Sequence, residues 1–172
     1  KDLYNPIWGK GNHPQFTEMT KAEFDILALG IKAIAFEELI FVVEKDGIPV
    51  GISVSVPNIN EIIIEHDKSS FNMPSKRLFG LKDLKRDLDI FGTIKKRLKS
   101  KKFSGMRVLI LGVDEKYRKT GIDSKLYYKT AQAAKALGIK YGSGSQLADK
   151  NFDILNPLFK IGKVAMTWRV YE

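Results

Sequence analysis

The segment with the clearest chemical content runs from an apolar strand through a basic turn into a helix. The strand is predicted over Met106–Val113 and the helix over Ile122–Leu137, and the turn between them carries Arg118, Lys119 and Gly121. The first N–H groups of a helix have no intrahelical acceptor, and the helix dipole favours negative charge at that end. Glycine lets the backbone approach a ligand without an intervening Cβ. These features predict a phosphate site and a phosphorylated cofactor.

Composition narrows the remaining chemistry. The chain has no cysteine and only two histidines, His13 and His66, so neither a thiolate nucleophile nor a metal site is expected. Apolar residues make up 44% and charged residues 28% of the 172 residues, which is typical of one globular domain over 1–172. No apolar run approaches the ~20 residues of a membrane span. Residues 1–11 do not resemble a signal peptide, so we expect a cytoplasmic protein.

The positive charge is concentrated in one segment. The net charge is +9, and Lys76–Lys102 alone holds 11 Lys and Arg against 3 Asp. A surface that binds nucleic acid over the whole protein is therefore not expected. Within this segment, apolar residues at helical spacing predict an amphipathic helix, which Gly92 breaks or bends: Leu81, Leu84, Leu88, Phe91, Ile94 and Leu98. Either its apolar stripe packs on the core, or it meets a membrane surface or a polyanion.

The other elements follow from local patterns. Thr20 and Glu23 form a predicted capping box before a helix at about 21–36. The runs Leu39–Glu44 and Val50–Val56 flank an Asp-Gly pair, which predicts a β-hairpin whose second strand alternates apolar and small polar residues. Three further elements are predicted towards the C-terminus, namely a weak strand at Ile139–Leu147, a short helix at Asn151–Ile161 that Pro157 kinks or divides, and a closing strand at Lys163–Tyr171.

This order of elements predicts an α/β (α+β) domain with a mixed central sheet flanked by helices. The order, together with Arg118-Lys119-Thr120-Gly121-Ile122-Asp123, resembles the GNAT superfamily of acyl-CoA-dependent N-acetyltransferases, whose signature is Arg/Gln-x-x-Gly-x-Gly/Ala. The similarity extends from the hairpin to Tyr171. It is strongest to bacterial proteins in which a GNAT-like domain forms the C-terminal half of a longer chain. By that comparison the first strand is absent here, and 58–102 is a basic helical insertion between the family's third and fourth strands.

The resemblance implies a binding mode for acetyl-CoA or another acyl-CoA. The backbone amides of the signature would cradle the pyrophosphate: Arg118, Lys119, Thr120, Gly121, Ile122 and Asp123. The backbone of Leu111 and Val113 would pair with the pantetheine arm as an added strand would. Asn151 matches an asparagine that commonly touches pantetheine, although an ordinary helix N-cap explains it as well.

Catalytic residues are not identified by the sequence. The position at which many GNAT enzymes carry a tyrosine acid holds Leu158, followed by Phe159. Glu44 and Asp114 are the nearest carboxylates to a base position, and Tyr117, Tyr127 or Tyr141 are substitutes for the missing acid. A backbone N–H at Val113 is a donor for the thioester carbonyl oxygen.

Three functions remain open at this stage. The first is an N-acyltransferase that acetylates an unidentified small-molecule or peptide amine. The second is a GNAT-like binding or scaffolding module without catalysis, in which Asp123 caps the helix amides and occupies the phosphate site. The third is an aminoacyltransferase-like half, which only the basic helix favours. A missing first strand leaves a sheet edge to be covered, so we expect an upstream domain or a homo-oligomer.

Overall fold

The computed structural model describes residues 3–9, 17–68, 81–144, 147 and 151–167. Its helices are α1 Tyr4–Gly9, α2 Lys21–Lys32, α3 Asn60–Lys68, α4 Leu81–Ser100, α5 Ile122–Ala136 and α6 Phe152–Phe159. Its strands are β1 Ile40–Lys45, β2 Ile48–Pro57, β3 Gly105–Val113 and β4 Tyr141–Ser143. Short 3₁₀ turns at Glu37–Leu39 and Glu115–Tyr117 precede β1 and follow β3.

The four strands form one mixed sheet in the order β1-β2-β3-β4. β2 is antiparallel to both β1 and β3, whereas β3 and β4 are parallel. Asp46 and Gly47 connect β1 to β2 with φ angles of 52° and 76°. Two successive residues with positive φ make a type I′ turn, whose twist matches that of the strands it joins. The hairpin predicted from the Asp-Gly pair is therefore present.

Helices cover both faces of the sheet. On one face α5 crosses β2, where Thr130 and Ser53 share a buried hydrogen bond of 2.9 Å. Alternate residues of a strand point to opposite faces. Accordingly, Ile52 and Val54 of β2 point away from α5 and line a cavity together with residues of α2. The mixed α/β architecture with a central sheet flanked by helices is confirmed.

The main core lies on the α5 face, towards the end of the sheet at which β3 begins. It joins the 3₁₀ turn before β1 to α3, β3 and α5 through seven buried side chains: Phe36, Leu39, Ile62, Phe103, Met106, Ala134 and Ile139. Phe36 and Phe103 meet edge to face, with ring centroids 6.0 Å apart. Gly138 ends α5 with a φ of 73°, the left-handed conformation that closes a helix without steric cost.

The structure bears on four predictions of local order. The helix predicted over 21–36 ends at Lys32. α4 runs unbroken through Gly92, and α6 runs through Pro157 without dividing. No strand forms over residues 163–167, and the rest of the predicted closing strand lies outside the described residues. That segment has strand propensity, but strand propensity mainly reflects packing against neighbours.

Burial bears on two further sequence patterns. The alternation predicted in β2 is present, since Ser53 faces α5 whereas Ile52 and Val54 face the other side. Ser53 and Ser55 are fully buried because helices cover the sheet on both sides. In α4 only Ile94 and Leu98 of the apolar stripe pack against the core. Leu84, Leu88 and Phe91 of the same stripe are largely exposed.

Candidate functional site

The edge of β3 opens where β4 diverges from it. The two strands pair only at Gly105–Arg107, so towards Val113 no described strand continues the sheet on that side. The amide of Asp114 donates to the carbonyl of Val50 on β2, at 2.8 Å. Because the groups of one peptide plane point in opposite directions, the carbonyl of Val113 points to the open edge. Leu111, two residues earlier, shares this orientation.

The turn after β3 is built by two left-handed residues. Lys119 has a φ of 61° and Gly121 a φ of 83°, and the hydroxyl of Thr120 between them donates to the carbonyl of Tyr117 at 2.6 Å. Asp114 begins this turn by accepting a hydrogen bond from the amide of Lys116 at 3.0 Å. The backbone is thereby reversed within a few residues, and α5 starts directly behind the end of β3.

The N-terminus of α5 carries no side-chain cap. Gly121 occupies the N-cap position and has no side chain to offer, and the first-turn amides of a helix lack intrahelical acceptors. Within the described part of the chain, Asp123 accepts no hydrogen bond from these amides. The described structure therefore does not show Asp123 capping the helix, as it would if it occupied the phosphate site.

A pocket of about 160 Å³ lies between the open edge of β3 and the start of α5. Residues from five segments line it: Ile7, Trp8, Leu111, Gly112, Val113, Arg118, Lys119, Asp123, Tyr127, Asn151 and Ile154. Six of the nine predicted cofactor-binding residues are among them. The other three, Thr120, Gly121 and Ile122, belong to the turn itself, and Ile122 directs its side chain onto Gly51 of β2.

Among the described residues, three side chains bring charge to this pocket. Arg118 reaches back so that its Nε donates to the carbonyl of Val113 at 3.4 Å. Lys119 is exposed, and Asp123 is half-buried. The pKa of Tyr127 is raised, first by burial and second by the negative charge of Asp123. Its phenol therefore keeps its proton at neutral pH.

Asn151 precedes α6 and also lines the pocket. Its backbone carbonyl accepts from the amides of Ile154 and Leu155, at 3.2 and 3.0 Å. Its side chain makes no cap hydrogen bond in the described structure. Asn151 therefore occupies the N-cap position of α6 without the side-chain hydrogen bond that an ordinary N-cap makes. Its side chain remains available to a ligand.

The sequence did not identify the role of α1. A Cβ on Gly112 would lie 2.5 Å from Cγ2 of Ile7 and 2.9 Å from Cη2 of Trp8, so α1 packs on β3 where the strand lacks a side chain. Trp8 in turn stacks on Tyr4, with ring centroids 4.9 Å apart. The glycine near the end of an otherwise apolar strand was the only available signal, since glycine within a strand often marks a close approach.

Of the candidate acid and base residues, some line the pocket and others do not. Tyr127 lines the pocket, whereas the hydroxyl of Tyr141 donates to Glu61 at 3.2 Å, and Lys45 lies over the ring of Tyr117 at 5.2 Å. Glu44 is exposed on β1, away from the residues that line the pocket. Leu158 and Phe159 lie on α6 and do not line it either.

Two features are absent from the described residues. No group of three or more His, Cys, Asp or Glu side chains is placed to hold a metal ion. In the same part of the chain no helix combines the length and apolar character needed to cross a membrane.

Comparison with known proteins gives one sequence relative and a set of similar folds. No protein-family model matches the chain. The bacterial ceramide synthase of Caulobacter vibrioides is 27% identical over 178 residues, which span 99% of this chain and 40% of that protein. The chain thus corresponds to less than half of the curated relative.

Among solved structures, the apo aminoglycoside 6′-N-acetyltransferase of Acinetobacter haemolyticus superposes with a TM-score of 0.54 at 11% identity, covering 99% of this chain and 86% of the other. The polyamine N-acetyltransferase of Drosophila melanogaster superposes with a TM-score of 0.40 at 19% identity, over 80% and 62% of the two chains. The near-complete coverage in the first comparison agrees with the strand, turn and helix order described above. The chain therefore has the fold of the GNAT N-acetyltransferases.

Proposed function

We propose that this chain binds an acyl-CoA at the open edge of β3 and transfers the acyl group to an amine. The observation that carries the proposal is the convergence of the unpaired β3 edge, the left-handed turn and the uncapped start of α5 on one pocket. When bound, acyl-CoA supplies an acyl group activated as a thioester. The pocket, at about 160 Å³, is smaller than those that enclose drug-sized ligands, so it encloses only part of this molecule.

The residues present fit such a ligand in three respects. The backbone of Leu111 and Val113 faces the gap between β3 and β4, where an extended arm can pair as a short strand. The amides at the start of α5 suit a pyrophosphate, with the charge of Lys119 beside them. Asn151 offers an amide side chain across the pocket. Asp123 opposes the ligand, since two unit charges 4 Å apart repel by about 1 kcal/mol even in water.

Tyr127 is the side chain we propose as proton donor. It lines the pocket, and burial raises its pKa, so that its hydroxyl stays protonated at neutral pH. General acids of this kind contribute typically 10²–10⁴-fold in rate. A Tyr127→Phe variant should therefore lose turnover by about this factor while retaining acyl-CoA affinity. Tyr128→Phe is the matched control, because Tyr128 is the neighbouring residue of α5 and is 65% exposed.

For the acceptor we propose an amine that bears a long alkyl chain. The name of the relative, ceramide synthase, denotes formation of an amide between a fatty acid and a long-chain amino alcohol. A mainly apolar cavity of about 380 Å³ between α2 and the sheet has the character such a chain requires. Its described lining comes from α1, α2, the segment after α2 and the sheet: Tyr4, Phe24, Leu27, Ala28, Ile31, Lys32, Ala35, Glu37, Ile40, Ile52, Val54 and Ile110.

The second candidate function is a binding module without catalysis. It is favoured by Leu158, which cannot donate a proton at the position where the resemblance expects a tyrosine. Both candidates predict acyl-CoA binding as long as the amides of α5 stay accessible. They differ in turnover, and in the effect of the Tyr127→Phe substitution on it.

Isothermal titration with acetyl-CoA, palmitoyl-CoA and desulfo-CoA tests the cofactor. We expect dissociation constants in the micromolar range, about −8 kcal/mol. The Asp123→Ala variant should bind several-fold more tightly and Lys119→Gln more weakly, whereas Lys129→Gln, an exposed position on the same helix, should match the wild type. Binding by Asp123→Ala but not by the wild type would support the module with a blocked site. No binding by either folded protein would refute the cofactor.

Mass spectrometry of the products then tests the acceptor. The chain is incubated with each acyl-CoA and with sphinganine or putrescine. We expect an N-acyl product with sphinganine and little with putrescine. Product with putrescine alone would refute the long-chain acceptor while leaving the transferase intact. Tight binding of acyl-CoA without any product would favour the binding module.

A further inference from the structure

The N-terminal half of α4 presents apolar side chains to solvent. Leu84, Leu88 and Phe91 are 58%, 62% and 66% exposed. With 3.6 residues per turn, these three positions fall within about 60° of one another around the helix axis. They form one continuous apolar strip, and Leu98, two turns further along the helix, lies about 20° from Phe91 at the edge of the same face.

The C-terminal half of the same helix packs against the rest of the domain. Ile94 and Leu98 pack against the main core, and Arg97 pairs with Glu61 and Glu65 of α3. These contacts fix the orientation of the helix. The apolar strip therefore lies next to the core-facing side of the helix, and its three side chains stay exposed.

Lysines border the strip on the exposed side. Lys95 lies within the same arc of the helix as the strip, with Lys99 and Lys85 about 40° and 80° further round. All three are exposed, and none of them forms an ion pair within the described part of the chain. Over its full length, α4 contains seven Lys and Arg against three Asp.

We propose that this surface, formed by Leu84, Leu88, Phe91, Lys85, Lys95 and Lys99, docks on the surface of a membrane that contains anionic lipids. An amphipathic helix with lysines beside its apolar face lies in the plane of the membrane interface, with apolar side chains among the lipid chains and ammonium groups at the headgroups. An RNA partner does not account for the exposed leucines, since single-stranded RNA is bound through aromatic stacking and charge. The positive border is complementary to an anionic bilayer.

Vesicle co-sedimentation of the full 172-residue chain tests the proposal without any acyl-CoA. Vesicles of phosphatidylcholine alone are compared with vesicles containing 30 mol% phosphatidylglycerol, at low and high salt. We expect binding to the anionic vesicles that is at least tenfold stronger than to the neutral ones and that weakens as salt rises. Two variants separate the contributions, Leu84→Ser/Leu88→Ser/Phe91→Ser for the apolar strip and Lys85→Gln/Lys95→Gln/Lys99→Gln for the charge.

Each triple variant should lower the affinity for anionic vesicles at least tenfold. Ile26→Ser/Leu29→Ser is the matched control, because these residues of α2 are exposed to a similar degree, at 71% and 67%, but lie outside the proposed surface. Thermal unfolding shows that each variant is folded. Equal binding by all variants would overturn the proposal. So would vesicle binding that is absent while a dimer or an RNA complex depends on the same six residues.

Discussion

Two Gly→Ala substitutions, one in the turn before α5 and one within α4, should change the free energy of unfolding in opposite directions. Gly121 has a φ of 83°, and a Cβ built on it meets nothing within 4 Å. Gly92, within α4, also has open space around its Cβ position but has helical backbone. Both Gly→Ala changes add one methyl group in open space. Any difference between them therefore reports backbone conformation and not packing.

The magnitudes follow from the two conformations. The left-handed conformation costs a non-glycine residue about 1–2 kcal/mol, and the loss of chain entropy in the unfolded state returns about 0.4–1 kcal/mol. Gly121→Ala should therefore lower the free energy of unfolding by about 1 kcal/mol. Gly92→Ala should raise it by about 0.5–1 kcal/mol, the helix preference of alanine. At roughly 2–4 °C per kcal/mol for a chain of this size, the melting temperatures should differ by about 3–8 °C.

Thermal and urea unfolding followed by circular dichroism measure both variants against the wild type. Acyl-CoA titration of the same samples adds a functional reading, because only Gly121 shapes the proposed pyrophosphate turn. A Gly121→Ala protein as stable as Gly92→Ala would refute the left-handed turn. It would also remove the reason for placing a phosphate there.

Three further predictions test the packing around the site. Gly105→Ala should destabilise the fold by about 1–3 kcal/mol, because its Cβ would lie 2.2 Å from Cζ of Tyr141, and a second Tyr141→Ala change should relieve part of that loss in urea unfolding. Thr130→Val should cost about 1–3 kcal/mol by leaving the buried hydroxyl of Ser53 unpaired, and less in the Ser53→Ala/Thr130→Val double variant, as a double-mutant cycle will measure. Because burial and a nearby carboxylate raise the pKa of Tyr127, the folded chain keeps a proton above pH ~10 that the unfolded chain has lost. The free energy of unfolding should therefore fall as pH rises from about 10 through the raised pKa, and this fall should be smaller in Tyr127→Phe.

Local chemistry was read well from the sequence. The capping box joins Thr20 and Glu23 in both directions, through the Thr20 hydroxyl and the Glu23 carboxylate. Asp46-Gly47 forms the turn that its residue types require. These features depend on residues within a few positions of each other, so each pattern carries its own geometry.

Some local patterns did not predict the observed strand pairing or burial, because these depend on contacts between residues far apart in the chain. Residues 163–167 have strand propensity but pair with no described strand. The apolar spacing in α4 predicted the helix correctly, although no sequence pattern specified that Leu84, Leu88 and Phe91 would remain exposed. Spacing defines a face of a helix, whereas burial depends on which other elements meet that face.

The sequence by itself determined the strand, the glycine-containing turn and the helix that follow one another from Met106 to Leu137, because each is fixed by neighbouring residues. The tertiary structure alone decided what surrounds them. It placed Trp8 over Gly112 and Tyr127 in the lining of the pocket. It also left the first-turn amides of α5 without a hydrogen bond to Asp123 in the described structure. Such contacts join residues that lie far apart in the chain, and their geometry follows from packing of the whole fold rather than from any local spacing.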